Sequence, residues 1–217
     1  PTAGTSNVRF GVNAGNSIVS GANYNTVVGD EAGTAISGGS GYTTAIGYAA
    51  GAAISTAGKN TLIGGLSGNA LITGNSNVAV GYNSLTSDTL GDRNVAIGNQ
   101  TLEAQNFTSS TDSYNVAVGF HAGLAVTTGT QNTLIGSLAG DALGIAYSNV
   151  AVGFQALTTD VNGRSSTAIG TQALYAQNYS SSTHSYNTAV GYTAGVAVTI
   201  GIRNTLVGAA AGDAIQD

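Results

Sequence analysis

Asn77-Val78-Ala79-Val80-Gly81, Asn94-Val95-Ala96-Ile97-Gly98 and Asn187-Thr188-Ala189-Val190-Gly191 are three copies of one five-residue phrase. A polar residue leads, then a small or β-branched one, then usually Ala or Leu, then usually Val or Ile, then Gly. The phrase recurs twelve times, closing on Gly11, Gly29, Gly47, Gly64, Gly81, Gly98, Gly119, Gly136, Gly153, Gly170, Gly191 and Gly208. Most of these glycines follow one another at a near-constant interval; only the steps from Gly98 to Gly119 and from Gly170 to Gly191 are longer. A fixed period of this kind marks a repeat architecture.

The alternation within the phrase reads as a short strand. The closing glycine allows a corner that a Cβ would obstruct. Three residues later the position is always small (Ala14, Ala50, Ser84, Ala139), and the next is only Gly or Leu (Gly15, Gly51, Leu85, Gly140). A unit of about 17 residues is too short for a βαβ crossover of about 30 or a propeller blade of about 40. No helical stripe at i, i+3, i+4, i+7 appears. The reading is all-β: a parallel β-solenoid (β-roll) of about twelve 17–21-residue coils, stacked about 4.8 Å apart.

A longer period lies over the first. Asn60-Thr61-Leu62-Ile63-Gly64 returns as Asn132-Thr133-Leu134-Ile135-Gly136, and again, at the same interval, as Asn204-Thr205-Leu206-Val207-Gly208. The stretch from Asn106 to Asn115 returns as Asn178 to Asn187. Four coils therefore make a superrepeat, the step from Asn60 to Asn132, and one of the four carries a longer loop. Residues 1–217 read as a single β-solenoid repeat domain. Ten of the twelve phrases open with Asn, Thr43 and Ser166 being the exceptions. In a stack, these side chains are expected to form a ladder of amides.

Composition narrows the function. Only 7% of residues are charged, against about 25% in an ordinary soluble domain. The net charge is −5, with five Lys and Arg in all. Without a basic patch, nucleic acid is not an expected partner, and without an apolar run of about 18 residues this segment is not expected to insert into a membrane. The absence of Cys and Met suits an exposed extracellular life. The chain opens on Pro1 rather than Met and reads as a segment of something longer.

Both faces of the repeated strand are apolar. Val78 and Val80 point one way and Ala79 the other. One face can fill the coil interior, and the other needs a second buried environment. The row Leu62, Ala79, Ala96, Ala117, Leu134, Ala151, Ala168, Ala189 and Leu206 is the expected subunit face, packed around an axis by rotational assembly. Three rods around an axis, a homotrimer, make the simplest such assembly, although the pattern itself does not set the copy number.

These phrases resemble the SVAIG-type repeats of YadA-like head domains in trimeric autotransporter adhesins. The resemblance covers the strand and corner, as in Asn77-Val78-Ala79-Val80-Gly81, but not the longer return segment. It implies a trimer of parallel β-rolls. The longer phrase Asn187-Thr188-Ala189-Val190-Gly191-Tyr192-Thr193-Ala194-Gly195 is similar to repeat segments of bacteriophage tail fibres.

Little sequence is left for chemistry. His121 and His184 stand at different places in their coils, and no Cys accompanies them, so no metal site is expected. Asp88 and Asp160 match from one superrepeat to the next and read as turn formers; no cofactor and no enzymatic activity are expected. Tyr48, Tyr82, Phe120, Phe154 and Tyr192 each follow a corner glycine and read as corner fillers, with sugar stacking as the exposed alternative. Phe107, Tyr114, Tyr179, His184 and Tyr186, in or beside the long loops, are the candidate surface contacts for a cell-surface glycan or protein receptor. The reading is a structural and adhesive fibre segment: a stiff trimeric shaft of a phage tail fibre or extracellular appendage, at a virion or cell surface. The alternatives are a bacterial adhesin head binding glycan or matrix, and an ice-binding solenoid.

Overall fold

The computed structural model describes residues 4–39 and 41–216. The fold is all-β, without a helix among the described residues, and forms a parallel β-solenoid of about twelve turns. The chain divides into two units, Pro1–Ser113 and Tyr114–Asp217. Each holds six three-residue strands, running from Val8–Phe10 to Val95–Ile97 in the first and from Val116–Val118 to Thr205–Val207 in the second. Successive strands within a unit pair in parallel and in register, so Leu62 lies beside Ala79 and Leu134 beside Ala151. The longer loop of each superrepeat adds a short parallel pair: Gly91–Asp92 with Thr111–Asp112, and Gly163–Arg164 with Thr183–His184.

The corner glycines stack in a column. A Cβ built on Gly64 would stand 2.5 Å from the carbonyl oxygen of Gly81 in the next coil. Backbones at the corner thus approach as closely as the strands do, and a side chain there has nowhere to go.

The structure inverts the expected orientation of the strands. Leu62, Ala79, Ala96, Ala117, Leu134, Ala151, Ala168 and Ala189 are fully buried inside the single chain, and only Leu206, in the last turn, is half-buried. They are core residues and offer no surface to another subunit. The flanking positions face outward: Ile63, Ile97, Ile135 and Ile169 are 37–40% exposed. The inward row is Ala or Leu in nearly every coil, with Val27 the buried exception, and the row of Thr, Val and Ile turns out.

The interior of several coils is filled by complementary volumes, whereas Ala45, Ala117 and Ala189 share their coils with Gly51, Gly123 and Gly195. Where the inward strand residue is Leu62 or Leu134, the left-handed position after the corner is Gly68 or Gly140, and a Cβ there would press within 2.8 Å of that leucine. Where the inward residue is Ala79, Ala96, Ala151 or Ala168, the same position carries Leu85, Leu102, Leu157 or Leu174, all fully buried at φ of 51–55° or 49° for Leu102. A left-handed Leu costs roughly 1–2 kcal/mol, about what its burial returns. Three residues further on, the glycine coils place an aliphatic plug such as Ile54, Leu71 or Leu143. The leucine coils need no plug and carry Asp88, Gln105, Asp160 and Gln177 instead. Each coil therefore supplies one large aliphatic side chain to this layer, from either of two positions.

The Asn column is buried and works mainly through the backbone. Asn132 Oδ1 accepts from the Asn149 N–H at 3.1 Å, and Asn132 Nδ2 donates to the Ala146 carbonyl at 2.9 Å, both in the following coil. Asn60, Asn77, Asn115 and Asn149 repeat the carbonyl bond at 2.7–2.9 Å. Direct amide-to-amide bonds are longer, at 3.1 Å from Asn94 to Asn77 and 3.3 Å from Asn132 to Asn115. The expected amide ladder is thus a set of clamps between a side chain and the next coil's main chain.

Candidate functional site

The loop aromatics separate into two groups. Phe107 and Tyr179, expected at the surface, are buried at 5% and 4% exposure. They occupy the same place in successive superrepeats and plug the coil under the longer loop. The Tyr179 hydroxyl donates to the Gly201 carbonyl at 2.6 Å and accepts from Asn187 Nδ2 at 3.2 Å. Burial, with a contribution from the Asp160 carboxylate, pushes its phenol up to about 12. Tyr114, Tyr186 and His184 are exposed. His184 stacks on Tyr186 with ring centres 5.4 Å apart, and its Nε2 and Nδ1 lie 3.3 Å from the Tyr147 hydroxyl and from Ser165 Oγ.

Asp88 and Asp160 are fully buried carboxyl groups, the feature that most resembles acid–base machinery. Their surroundings are structural. One oxygen of each accepts from the N–H three residues on, Gly91 at 3.0 Å and Gly163 at 2.8 Å, closing a turn. The other accepts from the glutamine one coil away, Gln105 at 2.6 Å and Gln177 at 2.5 Å. Desolvation raises both carboxyls above their ordinary value of 3.8, and the amide and main-chain donors oppose it in part. Folding therefore favours the protonated acids. Their contribution to stability is full below pH 3.8 and is lost as pH rises through the higher folded-state values. The melting temperature is expected to fall between about pH 3 and about pH 7, and the fall should shrink in the Asp88→Asn, Asp160→Asn double variant. Calorimetry across that range checks it; an identical slope in the double variant would refute the assignment.

The outward face of the strands is uncharged in each unit, with a row of Thr or Val beside a row that is mostly Val or Ile. Phe10 is 75% exposed in the first unit and Val207 70% in the second. The aromatic residues expected to fill the corners stand outside instead: Tyr48, Tyr82, Phe120, Phe154 and Tyr192 are all exposed. The interior has no space for them, because the volume-matched layers already close it. They alternate along the coils with Gly65, Asn99, Ser137 and Thr171, and a Cβ on Gly65 would meet the Tyr82 ring at 3.5 Å.

The first unit also carries a groove of about 660 Å³, a size usual for small-molecule sites. It follows the column just ahead of the Asn ladder, where Tyr24, Tyr42, Lys59, Ser76 and Arg93 all have φ of 58–61°. Tyr24 and Tyr42 stack with centroids 5.1 Å apart at 18°. Gly39, Gly41 and Gly58 leave the floor without side chains. Asp92 Oδ1 accepts from the Asn75 N–H at 2.5 Å and Oδ2 from Ser110 Oγ at 2.8 Å, while Arg93 pairs with Asp112. The candidates from the long loops do not line this groove. The repeat period hides it because its residues change from coil to coil; the clustering of Tyr24, Tyr42, Lys59 and Arg93 at one place in the coil is the signal in the sequence. Among the described residues, no group of three or more His, Asp or Glu could hold a metal ion.

No family model, curated protein or solved structure matches this chain.

Proposed function

We propose that the chain is a structural and adhesive fibre segment, a homotrimeric β-solenoid shaft of a phage tail fibre or similar extracellular appendage. The observation that carries this reading is the outward, uncharged Val/Ile face of the strands in each unit. Six strands about 4.8 Å apart and three residues of about 3.3 Å each give roughly 290 Å² of flat, uncharged sheet per unit. The exposed aromatic residues beyond the corners extend it into the range of about 300–600 Å² that the largest patch on a typical monomer occupies. The occupant that fits is another copy of the chain, which brings the same flat, uncharged surface with the same spacing. The subunit face is therefore the Thr/Val and Val/Ile rows, in place of the Ala/Leu row. The copy number of three rests on the resemblance to trimeric adhesin heads. Dense parallel ladders and a volume-matched core support a stiff element that holds a tip away from a surface.

Native mass measurement tests the assembly. The wild-type chain is expected at three times its own mass. Ile63→Glu with Ile135→Glu places charge on the outward face at positions a single chain tolerates, and is expected to shift the protein to the monomer with its circular dichroism unchanged. A wild-type monomer at micromolar concentration would overturn the shaft reading.

A second reading, an adhesin head that binds glycan, is favoured by the groove of the first unit.

A further inference from the structure

We propose that the groove of the first unit is a binding site for a neutral oligosaccharide, seated against Tyr42 and spanning from Lys59 to Arg93. The proposal deepens the adhesive part of the reading above and rests on it only for its setting at a surface.

Four observations carry it. The first is shape. Gly39, Gly41 and Gly58 line it without side chains; a Cβ added at Gly39 would meet nothing within 4 Å, while one at Gly58 would stand 2.8 Å from the Gly41 carbonyl oxygen. An extended ligand can therefore lie along the coils. The second is the tyrosine pair. A stacked pair leaves each ring one face that its partner does not cover. Lys59 follows Tyr42 one coil further on in the same column, where the groove continues. Aromatic faces of this kind hold the apolar C–H face of a sugar ring, with nearby polar groups fixing its orientation.

The third is the supply of hydrogen-bonding groups. Tyr24 and Tyr42 are 54% and 64% exposed, and Lys59 is exposed. Neither hydroxyl nor the Lys59 ammonium has a hydrogen bond or ion pair among the described residues. The Arg93–Asp112 pair at the far end is about half-exposed. It offers donors and acceptors side by side, the pattern that two adjacent sugar hydroxyls require. The lining carries two positive groups, Lys59 and Arg93, and two negative ones, Asp92 and Asp112. The balance favours a ligand rich in hydroxyls and without net charge.

The fourth is an internal comparison. The second unit has the same short strand pair, with Arg164 beside His184 where the first has Asp92 beside Asp112. There, Tyr147 stands one superrepeat on from Asn75. Its ring is covered by Arg164, with Cζ 4.3 Å from the ring centre, and its hydroxyl lies within 3.3 Å of both Arg164 Nη1 and His184 Nε2. The same backbone thus carries large, mutually engaged side chains in the second unit and short ones in the first. The opening at Asn75 is a property of the side chains chosen there.

The comparison also provides the test. Asn75→Tyr inserts into the groove a residue that the equivalent place already accommodates, and Tyr42→Ala removes the platform. The full chain is screened against an array of neutral hexose and N-acetylhexosamine oligosaccharides beside uronate oligosaccharides, and hits are titrated by calorimetry. Binding to a neutral oligosaccharide is expected, at least tenfold weaker in both variants and unchanged in Tyr186→Ala, a tyrosine of the second unit that stands in the same column two superrepeats on from Tyr42. Thermal unfolding of each variant confirms the fold. Absence of binding at millimolar ligand, binding confined to uronates, or binding indifferent to Tyr42→Ala and Asn75→Tyr would overturn the proposal. Native mass is measured on the same samples. A monomer that binds would sink the shaft and leave the site standing, and a trimer that does not bind would do the reverse.

Discussion

Replacing Gly136 with alanine is expected to destabilise the second unit by about 3–5 kcal/mol, while Gly65→Ala changes stability by less than about 0.5 kcal/mol. Gly136 has φ of 130°, a conformation that L side chains rarely adopt. Its added Cβ would stand 2.5 Å from the Gly153 carbonyl oxygen and 2.7 Å from the carbonyl carbon. Both atoms belong to the backbone of the next coil and cannot swing aside. Relief requires the coils to separate, and the corner is held closed on both sides: the Gly136 N–H donates to Val118 at 2.8 Å and the Gly153 N–H to Ile135 at 2.7 Å. Separation therefore loses ladder bonds as well as the corner. Gly65, one residue past the Gly64 corner, has no positive φ, and its nearest obstacle is the Tyr82 ring at 3.5 Å, an ordinary contact. In a solenoid each turn contacts only its neighbours, so the damage should open the adjacent coils first. Urea unfolding with hydrogen exchange reads both quantities. A Gly136→Ala protein within about 1 kcal/mol of wild type would show that the coils do not approach as closely as described.

The sequence displays what recurs and conceals what is resolved by volume. The strand, the corner glycine and the Asn column repeat with one identity each, so their period is visible and the solenoid follows from it. The facing of the strand does not follow, because both of its rows are apolar and hydropathy cannot rank Val80 against Ala79. Room decides, and the evidence for room lies in pairs of residues: Leu62 with Gly68, Ala79 with Leu85, and Leu85 with Asp88 in place of an aliphatic plug. Read jointly, those alternations would have placed the Ala/Leu row inside and the aromatic residues beyond the corners outside. Phe107 and Tyr179 were hidden for a different reason. Their neighbours Thr108, Ser109, Ser180 and Ser181 have the composition of a surface loop, yet the longer coil leaves a gap beneath it that only a ring fills. The groove was hidden because the periodic residues frame it while the variable ones line it.

Asn132→Ala is expected to cost about 2–5 kcal/mol, more than its loss of volume would suggest, because it strands main-chain groups inside the coil. The side chain is fully buried. Removing it leaves the Ala146 carbonyl without the donor at 2.9 Å and the Asn149 N–H without the acceptor at 3.1 Å. Each is a main-chain group of the following coil, and an unsatisfied buried group of this kind costs about 1–3 kcal/mol. Asn132→Asp separates the two bonds. Its carboxylate still accepts from the Asn149 N–H but faces the Ala146 carbonyl with an oxygen in place of a donor, and it brings a charge into the core. It should therefore be no better than alanine at neutral pH and recover part of the loss in acid, when one oxygen carries a proton to donate. Relief of the buried charge contributes to that recovery, so the clamp is separated from a filler by Asn132→Leu, which keeps the volume and removes both bonds: a residue that mattered only for packing would lose little there, and a clamp about as much as in Asn132→Ala. Denaturant titrations of the wild type and all three variants at about pH 4 and about pH 7 make the comparison, and equal stability of Asn132→Ala and wild type would remove the Asn column from what holds the coils together.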